Sequence, residues 1–217
     1  MGEPAPAASA APIFEIANPL RTVLWQRIDS PGTEWCALGQ EPDGWRLAGK
    51  VLTTVAAEPA VVRYEVVLGG DWATREVRIA LDIGVRRPPR RLHLSTDAER
   101  RWTVTREPDA EDAFAHDPGV LYGLSDVDLG FTPATNTLPI RRLAPVIGET
   151  VAVTAAWVRF PELTVEPLPQ RYTRLAERRY RYESAGGGFV VEIGVDELGL
   201  VTEYEGGWRR IAASSER

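Results

Sequence analysis

Most of the side chains that could do chemistry in this sequence lie in one segment, residues 121–143. The segment contains two acids, Asp126 and Asp128, followed by the amide Asn136 and the adjacent arginines Arg141 and Arg142. Two carboxylates so close in sequence could act as a catalytic pair or could hold a cation. The arginines could instead bind those carboxylates, or an anionic group of a ligand, through paired hydrogen bonds.

The two acids are expected to pair with arginine and not to act in catalysis. Asp126 and Asp128 are two residues apart, so both side chains project to the same side of an extended segment. A buried carboxylate without a partner is costly, and we therefore expect an arginine to pair with one of them. Arg141 and Arg142 point about 100° apart on a helix, so only one of them is expected to face the acids.

The polar residues that precede the arginines predict the start of a short helix. Thr132, Thr135, Asn136 and Thr137 belong to the residue types that form turns and caps by bonding nearby backbone groups. Thr137 is predicted as the N-cap, the helix is predicted over residues 138–144, and Pro145 ends it. The free N–H groups at this end could alternatively bind a phosphate or a sugar hydroxyl.

The rest of the chain is predicted to form β-strands that hold this segment in place. Residues 61–68 and 75–83 alternate apolar and polar positions around a Gly69-Gly70-Asp71 turn, which is typical of a hairpin. Further strands are predicted at residues 23–28, 35–38, 45–55, 91–95, 101–106, 149–159, 171–183, 188–195, 200–205 and 208–211, with a loop at 107–118. No other stretch sustains a helical period, so the sequence predicts an all-β protein with one short helix.

Aromatic residues are frequent on the predicted strands, namely Tyr64, Trp72, Trp102, Trp157, Tyr172, Tyr180, Tyr182 and Trp208. Such side chains pack well on pleated sheets, so most of them are expected in the core. An aromatic ring can also stack on the face of a sugar, and a minority of these residues is expected to contact a ligand.

The motifs of the chain resemble those of the putative glycolipid-binding family of bacterial proteins. They are Val62-Arg63-Tyr64, Asp126-Val127-Asp128-Leu129, Thr132-Pro133, residues 135–143, residues 170–175 and Trp208-Arg209-Arg210. The whole resemblance extends from about residue 35 to residue 210. The resemblance implies a spiral β-roll, in which a long antiparallel sheet wraps around one short α-helix. It also implies a homodimer.

Composition limits the classes of protein that this chain could belong to. A length of 217 residues suits a single domain, predicted over residues 13–217, after an Ala- and Pro-rich disordered tail at residues 1–12. The net charge of −6 argues against electrostatic binding to nucleic acid or anionic membranes. With one cysteine, no signal peptide and no apolar run of membrane-spanning length, a cytoplasmic protein without a transmembrane segment is predicted.

Signals for an enzyme are weak, because the only histidines, His93 and His116, match no metal-binding or catalytic motif. No cofactor or metal is predicted. The leading hypothesis is a noncatalytic protein that holds a glycolipid or another amphipathic molecule in a groove between sheet and helix. The head group would contact Asp126, Asp128, Asn136, Arg141 and Arg142. Two alternatives stay open, namely a homodimeric interaction module without a ligand and a hydrolase that uses Asp126 and Asp128.

Overall fold

A computed structural model describes residues 16–107 and 118–214, and within them fourteen strands form one continuous sheet. The predicted tail at residues 1–12 and most of the predicted loop at 107–118 lie outside the described residues. The strands are β1 Arg21–Arg27, β2 Gly32–Glu41, β3 Gly44–Val55, β4 Glu58–Gly69, β5 Thr74–Ile83, β6 Arg90–Thr96, β7 Trp102–Glu107, β8 Asp126–Leu129, β9 Thr150–Val158, β10 Val165–Ala176, β11 Arg179–Ser184, β12 Phe189–Val195, β13 Val201–Tyr204 and β14 Trp208–Ala213. One α-helix, α1, covers Thr137–Leu143.

The sheet consists of two meanders that join at the middle. Strands β1 to β7 follow one another towards one edge, strands β14 to β8 follow one another towards the other edge, and β1 pairs with β14. The predicted all-β fold with a long, mainly antiparallel sheet is confirmed. The exception is β8, which pairs with β9 in parallel, because the chain leaves β8 through the helix α1 and returns to start β9 at the end where β8 starts.

The sheet curls until its two edges approach each other without pairing. The indole of Trp102, on the edge strand β7, donates to the carbonyl of Leu124 at 3.1 Å, and the amide of Thr74, at the start of β5, donates to Ser125 O at 2.8 Å. Arg106, on the last strand of that edge, donates to the carbonyl of Leu163 in the turn between β9 and β10. These bonds hold the roll in shape although the described strands do not close into a barrel.

Apolar and polar residues alternate along the strands, and the apolar side chains form the core on the inner surface of the roll. On β4, for example, Val62, Tyr64 and Val66 are completely buried and lie on one face. The helix α1 closes this core, because its Leu138 and Ile140 are buried against the sheet. Each large apolar side chain buried in this way contributes roughly 1.5–3 kcal/mol to the free energy of folding.

Two predictions about local structure are wrong. The single strand predicted over residues 171–183 is a hairpin of β10 and β11 that turns at Glu177 and Arg178. This turn contains no glycine, proline, asparagine or aspartate, so none of the usual turn-forming residues marks it. The predicted cap Thr137 is instead the first helical residue, Asn136 takes the cap position, and the Thr137 hydroxyl donates to Gly199 O at 2.9 Å.

Candidate functional site

A cavity of about 640 Å³ lies beside the N-terminal end of α1, against the last strands of the sheet. Its floor comes from β8 and from the loop that leads to the helix, which contribute Asp128, Thr132 and Asn136. Its walls carry five aromatic residues from five different strands: Trp157, Tyr182, Phe189, Tyr204 and Trp208. A volume of this size lies within the ~300–1,000 Å³ that small-molecule sites usually occupy.

The strand register brings the aromatic residues of the wall together. Tyr204 lies opposite Ile193 on β12 and opposite Trp208 on β14. Tyr182 is the centre of the group, since its ring lies 5.2 Å from Tyr172, 6.1 Å from Phe189 and 6.4 Å from Tyr204 between centroids. The cavity therefore has an aromatic wall fixed by ring-to-ring packing.

Asp128 is the acid that faces this cavity. Its side chain is half-buried, and Gln170 Nε2 donates a hydrogen bond to its Oδ2 at 2.5 Å. Burial raises the pKa of Asp128 to about 6, although hydrogen bonds from Gln170 and Tyr182 oppose that rise. The carboxylate can therefore accept hydrogen bonds from a ligand at neutral pH.

Asn136 faces the same cavity and is held by two neighbours. Its side-chain nitrogen donates to Pro133 O at 3.1 Å, and its side-chain oxygen accepts from the Tyr172 hydroxyl at 3.0 Å. The amide is thus fixed in orientation before any ligand arrives. A group held in this way loses little conformational entropy on binding.

Asp126 has a structural role, because it pairs with an arginine of the helix. Arg142 donates two hydrogen bonds to it, Nε to Oδ1 at 3.1 Å and Nη2 to Oδ2 at 2.5 Å, and the Asp126 residue is 1% exposed. Burial raises the pKa of Asp126 while Arg142 opposes the rise. The expected pairing of one acid with one arginine is confirmed, and it ties β8 to the helix.

Arg141 points away from both acids, as expected for the neighbour of Arg142. Its guanidinium lies 5.2 Å from the ring centroid of Trp72, and Nη1 donates to Glu197 O at 3.4 Å. It lines a second, smaller cavity of about 260 Å³ at the C-terminal end of α1. The five predicted ligand-binding residues thus divide: Asp128 and Asn136 line the larger cavity, whereas Asp126, Arg141 and Arg142 do not.

The sequence interpretation missed a buried acid next to this site. Glu34 is completely buried and accepts hydrogen bonds from the hydroxyls of Tyr64 at 2.5 Å and Thr132 at 2.7 Å. Among residues 16–107 and 118–214 its Oε2 atom has no hydrogen-bond partner, and burial raises the pKa of Glu34 to about 8. The signal was present in the sequence, because Glu34 shares strand parity with the apolar Cys36 and Leu38 and must point inward with them.

Two classes of site find no support in the described part of the chain. Among residues 16–107 and 118–214, no group of three acidic, histidine or cysteine side chains is placed to hold a metal ion. No helix in those residues has the length and apolar character needed to cross a membrane.

Comparison with known proteins agrees with this fold. The model of the family described as "Putative glycolipid-binding" matches residues 22–210. A crystal structure of a DUF1089 family protein from Pseudomonas aeruginosa is similar with a TM-score of 0.68 and 29% sequence identity, over 82% of this chain and 92% of that chain. The sequence has no match among curated proteins. Because the family model covers most of the chain, the resemblance seen in the motifs is confirmed, and the protein belongs to the putative glycolipid-binding family.

Proposed function

We propose that this protein binds a glycolipid or a related amphipathic molecule without catalysis, with the head group in the cavity of about 640 Å³. The observation that carries this proposal is the combination of five aromatic side chains with Asp128 and Asn136 around one space. Aromatic faces stack on the apolar faces of sugar rings, while the carboxylate and the amide form hydrogen bonds with sugar hydroxyls. The family description supports the same class of ligand.

The ligand is placed beside the helix and not underneath it. The inner face of α1 is packed, since Leu138 and Ile140 are buried in the core together with Phe131. The apolar part of the ligand would therefore leave the cavity across Leu168 and Phe189, which line it, and Phe189 is 43% exposed. This position differs from the groove between sheet and helix that the sequence suggested.

A paired substitution tests the proposal. Tyr204→Ala removes one aromatic wall of the cavity, and Tyr122→Ala makes the same change at a residue that is 63% exposed and lies outside it. Titration with octyl glucoside, followed by intrinsic tryptophan fluorescence, should show at least about tenfold weaker binding for Tyr204→Ala. Tyr122→Ala should bind like the wild type. Equal affinity of all three proteins would remove the cavity from the proposal.

The protein as purified from its own host offers a second test of the same idea. Native mass spectrometry after gentle purification should show a bound lipid, and its mass would identify the ligand class. Tyr204→Ala purified in the same way should carry less of it. A wild-type protein without any bound molecule, together with no glycoside binding, would favour the ligand-free interaction module.

One observation bears on the hydrolase alternative. Asp128 has a raised pKa in an open cavity, which is a property of many catalytic acids. Its proposed partner Asp126 is held by Arg142 and does not line that cavity. The hydrolase hypothesis needs Asp126 and Asp128 on either side of the bond that breaks, and that arrangement is absent, so we retain the noncatalytic function. A homodimer and a cytoplasmic location remain predictions from the sequence.

A further inference from the structure

Asp128 differs from the buried acids Asp126, Asp196 and Glu65 in what neutralises it. Asp126 pairs with Arg142 at 2.5 Å, and Asp196 pairs with Arg210 at 2.5 Å. Glu65 pairs with both Arg46 at 2.5 Å and Arg78 at 3.0 Å. Asp128 has only the neutral donors Gln170 and Tyr182, and no arginine or lysine of residues 16–107 and 118–214 forms an ion pair with it.

The rest of the cavity does not supply the missing positive charge. Arg27 lines it, but its Nε and Nη2 donate to the two carboxylate oxygens of Asp29 at 2.7 Å and 3.2 Å. Glu205 adds another carboxylate to the lining. Three acids therefore face one arginine in this lining, and that arginine is already paired. A negative potential in a partly enclosed space attracts cations and repels anions.

The aromatic wall of the cavity also attracts cations. Trp208 and Trp157 already carry the guanidinium groups of Arg27 and Arg159, at 5.6 Å and 5.3 Å from their ring centroids. Tyr182 and Tyr204 line the cavity together with Asp128, and their ring centroids lie 6.4 Å apart. Aromatic rings together with a carboxylate form the arrangement that binds ammonium groups, through cation–π attraction and ion pairing.

We propose that the ligand head group carries a protonated amine, such as that of an amino sugar, and that this amine pairs with Asp128 between Tyr182 and Tyr204. The inference rests on the proposed function and adds the charge of the ligand to it. It excludes phosphate, sulfate and carboxylate head groups from the cavity, because each would meet an unneutralised acid. A buried carboxylate that lacks a protein cation would then receive its counter-charge from the ligand.

Two glycosides that differ in a single group test this proposal. Octyl 2-amino-2-deoxyglucoside replaces one hydroxyl of octyl glucoside by an ammonium group at neutral pH. Isothermal titration at pH 7.5 and low ionic strength should give at least about tenfold tighter binding of the amino glycoside to the wild-type protein. The preference should fall with added salt, since part of it is electrostatic.

Asp128→Asn should remove the preference while it keeps the shape of the site. This variant should bind both glycosides with the affinity that the wild type has for octyl glucoside, and that retained binding also reports a folded cavity. Asp43→Asn makes the same change at an exposed acid in the turn between β2 and β3 and should keep the full preference. A preference that survives in Asp128→Asn would overturn the inference.

The outcomes separate the inference from the function on which it rests. Equal binding of the two glycosides by the wild-type protein overturns the inference and leaves glycolipid binding intact. Binding of neither glycoside counts against both. Octylammonium, which has the charge but no sugar, should bind more weakly than the amino glycoside. If it binds as tightly, the sugar contributes nothing and the head group is not an amino sugar.

Discussion

Three acids near α1 are stabilised in three different ways. Asp126 has an arginine, Asp128 has neutral donors and an open cavity, and Glu34 has two hydroxyl donors in the core. The pairing of one acid with one arginine could be predicted, because both acids and both arginines lie in one short motif, but the choice of Arg142 for Asp126 could not. Gln170 and Tyr64 could not be predicted either, since each reaches its acid through the pairing of strands that are distant in sequence.

The ion pair of Asp126 predicts unequal effects of the two neighbouring arginines. Arg142→Ala leaves a buried carboxylate without a counter-ion, and the free energy of unfolding should fall by about 3–5 kcal/mol. Arg141→Ala removes a ring contact and a long hydrogen bond, and the loss should stay near ~1 kcal/mol. Chemical denaturation of both variants measures the difference. Equal stability of the two variants would show that the ion pair contributes little.

Glu34 predicts a dependence of stability on pH. Its pKa is about 8 in the folded protein against 4.5 for an ordinary glutamate, so the folded state holds the proton more tightly than the unfolded chain. Its contribution is therefore complete below pH 4.5 and is lost as the pH rises through 8. The free energy of unfolding of Glu34→Gln should fall less over this range than that of the wild type. Glu203→Gln, an exposed acid on β13, is the control and should behave like the wild type.

At the scale of elements, alternation was enough to predict most strands and the one helix. Strand β4 could be predicted from its inward-facing apolar residues, and α1 lies within one residue of its predicted ends. Two features had no local signal: the charged turn at Glu177 and Arg178, and the parallel pairing of β8. The second depends on where the chain returns after a long crossover, which is a property of topology and not of any short segment.

Because α1 packs against the loop before β13, alanine substitution is predicted to destabilise the protein more at one glycine than at another. Gly199 and Gly206 have φ angles of +83° and +69°, so an alanine at either position costs about 1–3 kcal/mol in backbone strain. A Cβ atom at Gly199 would also lie 3.0 Å from Cδ of Arg141, whereas the space beside Gly206 is open. Gly199→Ala should therefore be less stable than Gly206→Ala by a further ~1 kcal/mol in chemical denaturation. Equal losses would mean that Arg141 moves aside freely.

At the scale of the whole molecule, the edges of the sheet are β7 and β8. The arginine-rich segment 171–181 lies in the interior strands β10 and β11 and so covers neither edge. On the outer face of the central strands, Trp35 is 42% exposed and Leu52 is 50% exposed. Leu52 lies two residues along β3 from Lys50, the pairing partner of Trp35, so both apolar side chains are on the same face of the sheet.

These features favour the homodimer that the family resemblance implies. Light scattering at micromolar concentration should give twice the chain mass of 23.9 kDa. Trp35→Ser should shift the mass towards the monomer if the outer face forms the contact, whereas Val85→Ser, at a residue that is 99% exposed in a turn, should not. A mass of a single chain for the wild-type protein would refute the dimer.

The joint between β1 and β14 sets the order in which the sheet can be completed during synthesis. Val23 pairs with Ala213, and the indole of Trp25 donates to Val201 O at 2.7 Å, so the middle of the sheet needs strands from both halves of the chain. Ribosomes add ~5–20 residues per second, so β14 is synthesised roughly ten to forty seconds after β1. The inner side chains of β1 and one row of its backbone groups stay unpaired over that interval. The nascent chain is thus most exposed to aggregation at the strand that becomes the centre of the finished protein.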